Sequence, residues 1–158
     1  MRHFQPKLPF ALLTAGLLVL SACGDSAMEP DDDHDEHAGE VEGVTLTVSG
    51  QTVASYDGHD GEWTGQLEVG AGEQTAPISV QFVDEEGDAV ELDDDFNLRV
   101  ETADASVAEF RQDTPGGYGG ILRGVATGET EITFSLVHGA VDTGHADFVT
   151  EPLPVRVR

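Results

Sequence analysis

The sequence predicts an all-β fold, an antiparallel sandwich or barrel, on three observations. Apolar residues recur at every second position in short runs, and Gly, Asp and Asn clusters break those runs at intervals of about 8 to 12 residues. No window carries the 3.6-residue apolar period of a helix.

The elements follow in order from residue 44. Val44, Leu46 and Val48 alternate with Thr45 and Thr47, which is the pattern of a strand with one buried face. Ser49-Gly50 breaks the run before a second strand, Thr52 to Tyr56. Beyond the turn Asp57-Gly-His-Asp-Gly61 a third strand is expected from Trp63 to Val69. Ile78 to Val83 places Ile78, Val80 and Phe82 on one face. The turn Asp84-Glu-Glu-Gly-Asp88 predicts a hairpin returning through Ala89 to Leu92, and the acidic loop Asp93 to Asp95 follows. Further strands are expected at Leu98 to Glu101, Ser106 to Phe110, Gly120 to Val125 and Glu131 to Leu136, with a last stretch from Ala146 to Val157.

The first residues have a different logic. Arg2 and Lys7 lie in a segment without acids, and Leu8 to Leu20 is apolar except for Thr14. That apolar stretch of about a dozen residues falls short of the roughly 20 needed to span a bilayer as a helix, so it reads as a targeting segment. At its end stands Leu20-Ser21-Ala22-Cys23. These four residues resemble the lipobox of bacterial lipoprotein signal peptides. The resemblance implies cleavage before Cys23 and attachment of a diacylglyceryl group to its sulfur, with residues 1–22 removed. Cys23 is the only cysteine of the chain, so no intramolecular disulfide competes for it. Gly24 follows, and by the sorting logic of proteobacterial lipoproteins a residue other than Asp there implies the outer membrane. Whether the protein then faces the periplasm or the surface is left open.

Residues 23–43 are acidic and nearly devoid of large apolar side chains, the composition of a disordered, self-repelling tether. Removing the signal leaves five arginines against the 31 acids, a formal charge of −26 on the mature chain, and no lysine. A field of that sign repels nucleic acid and attracts cations. It fits adaptation to salty surroundings or loading with divalent ions equally well. Residues 44–158 have the size of a single domain.

Two segments within that domain carry a further resemblance. Asp104-Ala-Ser-Val-Ala-Glu-Phe110, a glycine-rich stretch, and Gly120-Ile-Leu-Arg-Gly-Val-Ala-Thr-Gly-Glu-Thr-Glu-Ile-Thr-Phe134 resemble the second half of bacterial immunoglobulin-like domains of group 2, the intimin/invasin type. The likeness covers roughly residues 76–136. It implies an antiparallel immunoglobulin-like β-sandwich rather than a barrel. The chain departs from the pattern where Val100 stands near the place of a frequent tryptophan, and its one tryptophan, Trp63, lies well upstream.

Chemistry-bearing residues are few. His34 and His37, in Asp31-Asp-Asp-His-Asp-Glu-His37, offer ligands for zinc or another divalent ion, or are part of a solvated acidic spacer. His138 and His145 flank a turn that would return them to one another if Glu131 to Leu136 pairs with Ala146 to Thr150, with Asp142 or Asp147 supplying a carboxylate. Two imidazoles and a carboxylate form a recognised arrangement for zinc or copper, and the same polar residues also suit a hairpin cap. Asp57 to Gly61 and Asp93 to Asn97 are turn chemistry first and calcium oxygens second. Motifs for a nucleophilic serine, a His-Glu-x-x-His zinc helix or a phosphate-cradling loop are absent, so no enzyme is expected. The expectation is a lipid-anchored envelope module, non-catalytic, whose partners are the membrane and an envelope protein or surface ligand. The alternative is a lipoprotein that binds zinc, copper or calcium through His138, His145 and the tether histidines.

Overall fold

A computed structural model describes residues 41–158, so Cys23, His34 and His37 lie outside the described residues. Eleven strands and no helix make up the described part: β1 (Gly43–Val48), β2 (Gln51–Asp57), β3 (Glu62–Gly65), β4 (Leu67–Val69), β5 (Ile78–Val83), β6 (Phe96–Thr102), β7 (Ala108–Gln112), β8 (Gly119–Gly124), β9 (Gly128–His138), β10 (His145–Val149) and β11 (Leu153–Val157).

The period-2 alternation sets which face each strand buries. Val44 and Leu46 of β1, Ile78, Val80 and Phe82 of β5, and Leu153, Val155 and Val157 of β11 are all buried, while Ser79, Gln81, Pro154 and Arg156 between them face water. The strands form two sheets. One has the order β3-β2-β1-β5-β8-β7, and in the other β9 is flanked by β6 on one side and by β10 and β11 on the other, with β4 beyond β11. The orders β1-β5-β8-β7 and β6-β9-β11 reproduce the A-B-E-D and C-F-G sheets of a constant-type immunoglobulin domain. The β2–β3 hairpin is an addition beside β1.

Between the sheets lie Phe82, Phe134, Leu46, Leu98, Leu122, Leu136 and Leu153, all fully buried and each worth about 1.5–3 kcal/mol on burial. Aromatic pairs tie the layers together. Phe82 meets Phe148 edge-on at 6.1 Å, Phe110 meets Phe134 edge-on at 5.9 Å, and Trp63 lies 5.9 Å from Phe134.

Three strand expectations need correction. The stretch from Trp63 to Val69 is two strands in different sheets, split at Gly65, whose φ of 93° turns the chain out of the first sheet. As a result β4 runs parallel to β11, at the edge of an otherwise antiparallel sheet. Ala89 to Leu92 is not a strand. Asp84 closes the turn by accepting the Asp88 N–H, and the returning chain makes only the Ala89–Val83 bridge and the Val90 N–H bond to the Phe82 carbonyl before it leaves β5. The strand expected from Ser106 to Phe110 lies instead at Ala108–Gln112, because 104–107 is a turn in which the Asp104 carboxylate accepts the Ser106 N–H and hydroxyl at 2.9 and 2.6 Å. Gly43 pairs with both Asp57 and Val83, and Val41 packs against the core.

The last stretch divides as well. β10 and β11 share one flank of β9, and Thr150 fills the gap between them. Its N–H donates to the Phe134 carbonyl at 3.0 Å and its hydroxyl accepts the Phe134 N–H at 3.2 Å, so β9 loses no backbone pairing where its neighbours change.

Candidate functional site

The predicted β9–β10 hairpin forms, and with it the approach of the two histidines. Leu98 of β6 lies opposite Leu136 of β9, both fully buried, and two residues further on Phe96 lies opposite His138. His138 therefore shares the inner face of its sheet at the end of the sandwich, with its ring stacked on Phe96 at 4.9 Å and 21°. The register sets His145 directly across from His138, and the two rings stand 5.3 Å apart at 61°.

The connecting turn is shaped by glycine at both ends. Gly139 has a φ of 88°, in the left-handed region, and a Cβ on Gly144 would run into the His138 carbonyl. The Gly144 and Thr143 N–H groups both donate to the Ala140 carbonyl, at 2.6 and 3.1 Å. The turn is also tied to the acidic loop ahead of β6. Gly139 donates to the Asp95 carbonyl at 2.8 Å, and the Asn97 amide donates to the Gly139 carbonyl at 2.9 Å. Asp93, Asp94 and Asp95 are in this way fastened next to the histidine pair.

Of the two carboxylates the sequence offered, the structure brings in Asp147 and not Asp142, which stays out on the turn. Asp147 is two residues from His145 on the same strand, at a β-bulge. Ala146 pairs with Val137 and Phe148 with Leu136, leaving Asp147 as an extra residue on β10. The bulge lets Phe148 pack against the core while Asp147 keeps to the side of His145, and Asp147 Oδ1 lies 2.8 Å from His145 Nε2. One ligand atom from each of His138, His145 and Asp147 falls within 4.8 Å of the others. Among the described residues this is the one group of three or more His, Cys, Asp or Glu side chains so arranged. The His145 side chain is 71 % exposed and that of Asp147 34 %, so the open side of the group faces solvent.

The other candidates are turns. In Asp57 to Gly61 the Asp57 carboxylate accepts the N–H groups of His59 and Asp60 at 2.9 and 3.3 Å. Phe96 and Asn97 of the segment Asp93 to Asn97 serve the histidine site, one as a stacking platform and one as a brace for the turn.

No family model matches the chain, and no curated protein matches it. Among solved structures it is similar to domains 4 and 5 of the S-layer protein SbsC, at 21% identity and a TM-score of 0.42 over 60% of this chain and 47% of that one. It is similar also to domains 5–6 of that protein, at 22% identity and a TM-score of 0.43 over 59% of this chain and 39% of that one. The chain spans less than half the length of either structure it matches.

Proposed function

We propose that the protein is a lipid-anchored, non-catalytic module of the bacterial cell envelope that acts by binding and position. The observation that carries this reading is the sequence Leu20-Ser21-Ala22-Cys23 set upstream of an immunoglobulin-like sandwich whose first strand starts at Gly43. Acyl chains on Cys23 hold the protein to the bilayer, each buried methylene contributing about 0.8 kcal/mol, so that two or three chains make the attachment lasting. The acidic segment between Cys23 and Gly43 sets the reach of the domain, at most about 70 Å if fully extended. Gly24 directs the anchored protein to the outer membrane.

The test is expression of the full chain in a proteobacterial host with labelled palmitate, followed by membrane fractionation and mass spectrometry of the N-terminal peptide. The wild type should carry label on Cys23 and sediment with the outer membrane. Cys23→Ser should lose the label and leave the outer-membrane fraction while the sandwich still folds. Recovery of the wild type as an unlabelled soluble protein with a free thiol would refute the reading.

A further inference from the structure

We propose that His138, His145 and Asp147 form a mononuclear site for a borderline divalent transition-metal ion, of the zinc and copper(II) class, using one ring nitrogen from each histidine and one carboxylate oxygen. This goes beyond the anchoring function and stands or falls independently of it.

The distances are near those a metal requires. Bonds of 2.0–2.2 Å in tetrahedral geometry hold neighbouring ligand atoms about 3.3 Å apart. The three candidate atoms already lie within 4.8 Å of one another, and His145 Nε2 and Asp147 Oδ1 within 2.8 Å, so side-chain rotations close the site without moving the strands. Part of the ordering is done by the fold. His138 is held by stacking on Phe96, and the cross-strand register fixes where His145 projects. Asp147, two residues beyond His145 at the β10 bulge, sets a carboxylate beside the two imidazoles.

The donor set chooses the ion. Calcium and magnesium take oxygen ligands, six or more of them, whereas two imidazoles and one carboxylate suit zinc, copper(II) and their neighbours. Three protein ligands leave a coordination position open on the solvent side, which water or an external donor completes. The surroundings favour a cation. The whole chain carries a formal charge of −24, and the Asp93 to Asp95 loop is fastened to the turn through the Gly139–Asp95 and Asn97–Gly139 hydrogen bonds.

The test uses the full chain as expressed, acylated or not, in detergent micelles, in a background of His34→Ala and His37→Ala so that the upstream imidazoles contribute nothing. Titration with zinc chloride should show one equivalent bound with a Kd of roughly micromolar order, and copper(II) should bind more tightly, as the usual order of divalent affinities requires. Calcium chloride should not compete. The His138 and His145 ring resonances should shift together at one equivalent of zinc, with His59 unchanged. His145→Ala and Asp147→Asn alter exposed groups and should keep the fold, as far-ultraviolet circular dichroism will report, yet each should weaken zinc binding about 10- to 100-fold. Glu85→Gln with Glu86→Gln, in the separate acidic cluster with Glu42, Asp84 and Glu91, should leave the affinity unchanged. Three results would each overturn the proposal: no zinc bound at 100-fold above micromolar concentration, an affinity untouched by His145→Ala, or an affinity lost with the Glu85/Glu86 pair.

Discussion

Thr150 is where the second sheet is most exposed to a small chemical change. The Phe134 backbone is buried, and on the β10/β11 flank its N–H finds only the Thr150 hydroxyl, in a residue that is itself 3% exposed. Thr150→Val keeps the shape and removes the acceptor, so the cost is that of a buried N–H without a partner, about 1–3 kcal/mol. Thr150→Ser keeps the acceptor and loses one methyl group, about 0.8 kcal/mol. In a domain of this size the valine variant should melt roughly 3–15 °C below the wild type and the serine variant less than about 5 °C below it. Urea titrations followed by Trp63 fluorescence should give the same order. Amide exchange should accelerate in β10, because the break between β10 and β11 is held at this one residue. A valine variant as stable as the wild type, or a serine variant as damaged as the valine one, would show that the hydroxyl does not satisfy Phe134 in the way described.

Two further outcomes follow from the turns. Gly65→Ala should destabilise the fold by at least about 1–2 kcal/mol, since a side chain is forced into the left-handed region and its Cβ meets the Val53 carbonyl; thermal unfolding will measure it. Ser106→Ala should remove the hydroxyl that, with the Ser106 N–H, holds the Asp104 carboxyl below its ordinary value of 3.8. Because the folded value is depressed, the wild-type advantage is present above pH 3.8 and is lost as pH falls through the lower folded value, so the urea midpoints of the two proteins should differ at pH 7 and converge in acid.

The strands that form the core were legible because burial follows the pleat. β1, β5 and β11 alternate apolar and polar residues, and each buries the face that its alternation marks. The same rule misled at residues 63–69 because Leu67 and Val69 continue the alternation while Gly65 sends the chain to the other sheet. Alternation reports a buried face and is blind to which sheet owns it. At residues 89–92 the apolar spacing of Val90 and Leu92 was also correct, and the two side chains are partly buried. A strand needs a run of ladder bonds, and on the β5 edge away from β1 the returning chain makes only the Ala89–Val83 bridge and the Val90 N–H bond to the Phe82 carbonyl.

The histidine site was half legible for a related reason. A turn bounded by Gly139 and Gly144 between two β-patterned segments returns His138 and His145 to each other whichever residues fill it, so their meeting could be read from the chain alone. The i, i+2 spacing of His145 and Asp147 favoured Asp147 over Asp142, but the bulge could not be read. Strict alternation would place His145 and Asp147 on one face and Ala146 and Phe148 on the other. His138 and Leu136 share the inner face of β9, so an unbroken register would put Phe148 on the outer face with Val137. Burying a phenylalanine against Tyr56 and Phe82 outweighs one lost ladder position, and the strand bulges at Asp147 to achieve it. Asp147 stays on the His145 side with or without the bulge, and what the bulge adds is the inward turn of Phe148. Core packing and the ligand group therefore meet on β10 without depending on one another. Phe148→Ala should relax the bulge and lower the melting temperature while zinc binding stays within about tenfold of the wild type, whereas loss of zinc binding in that variant would mean that the bulge itself places Asp147.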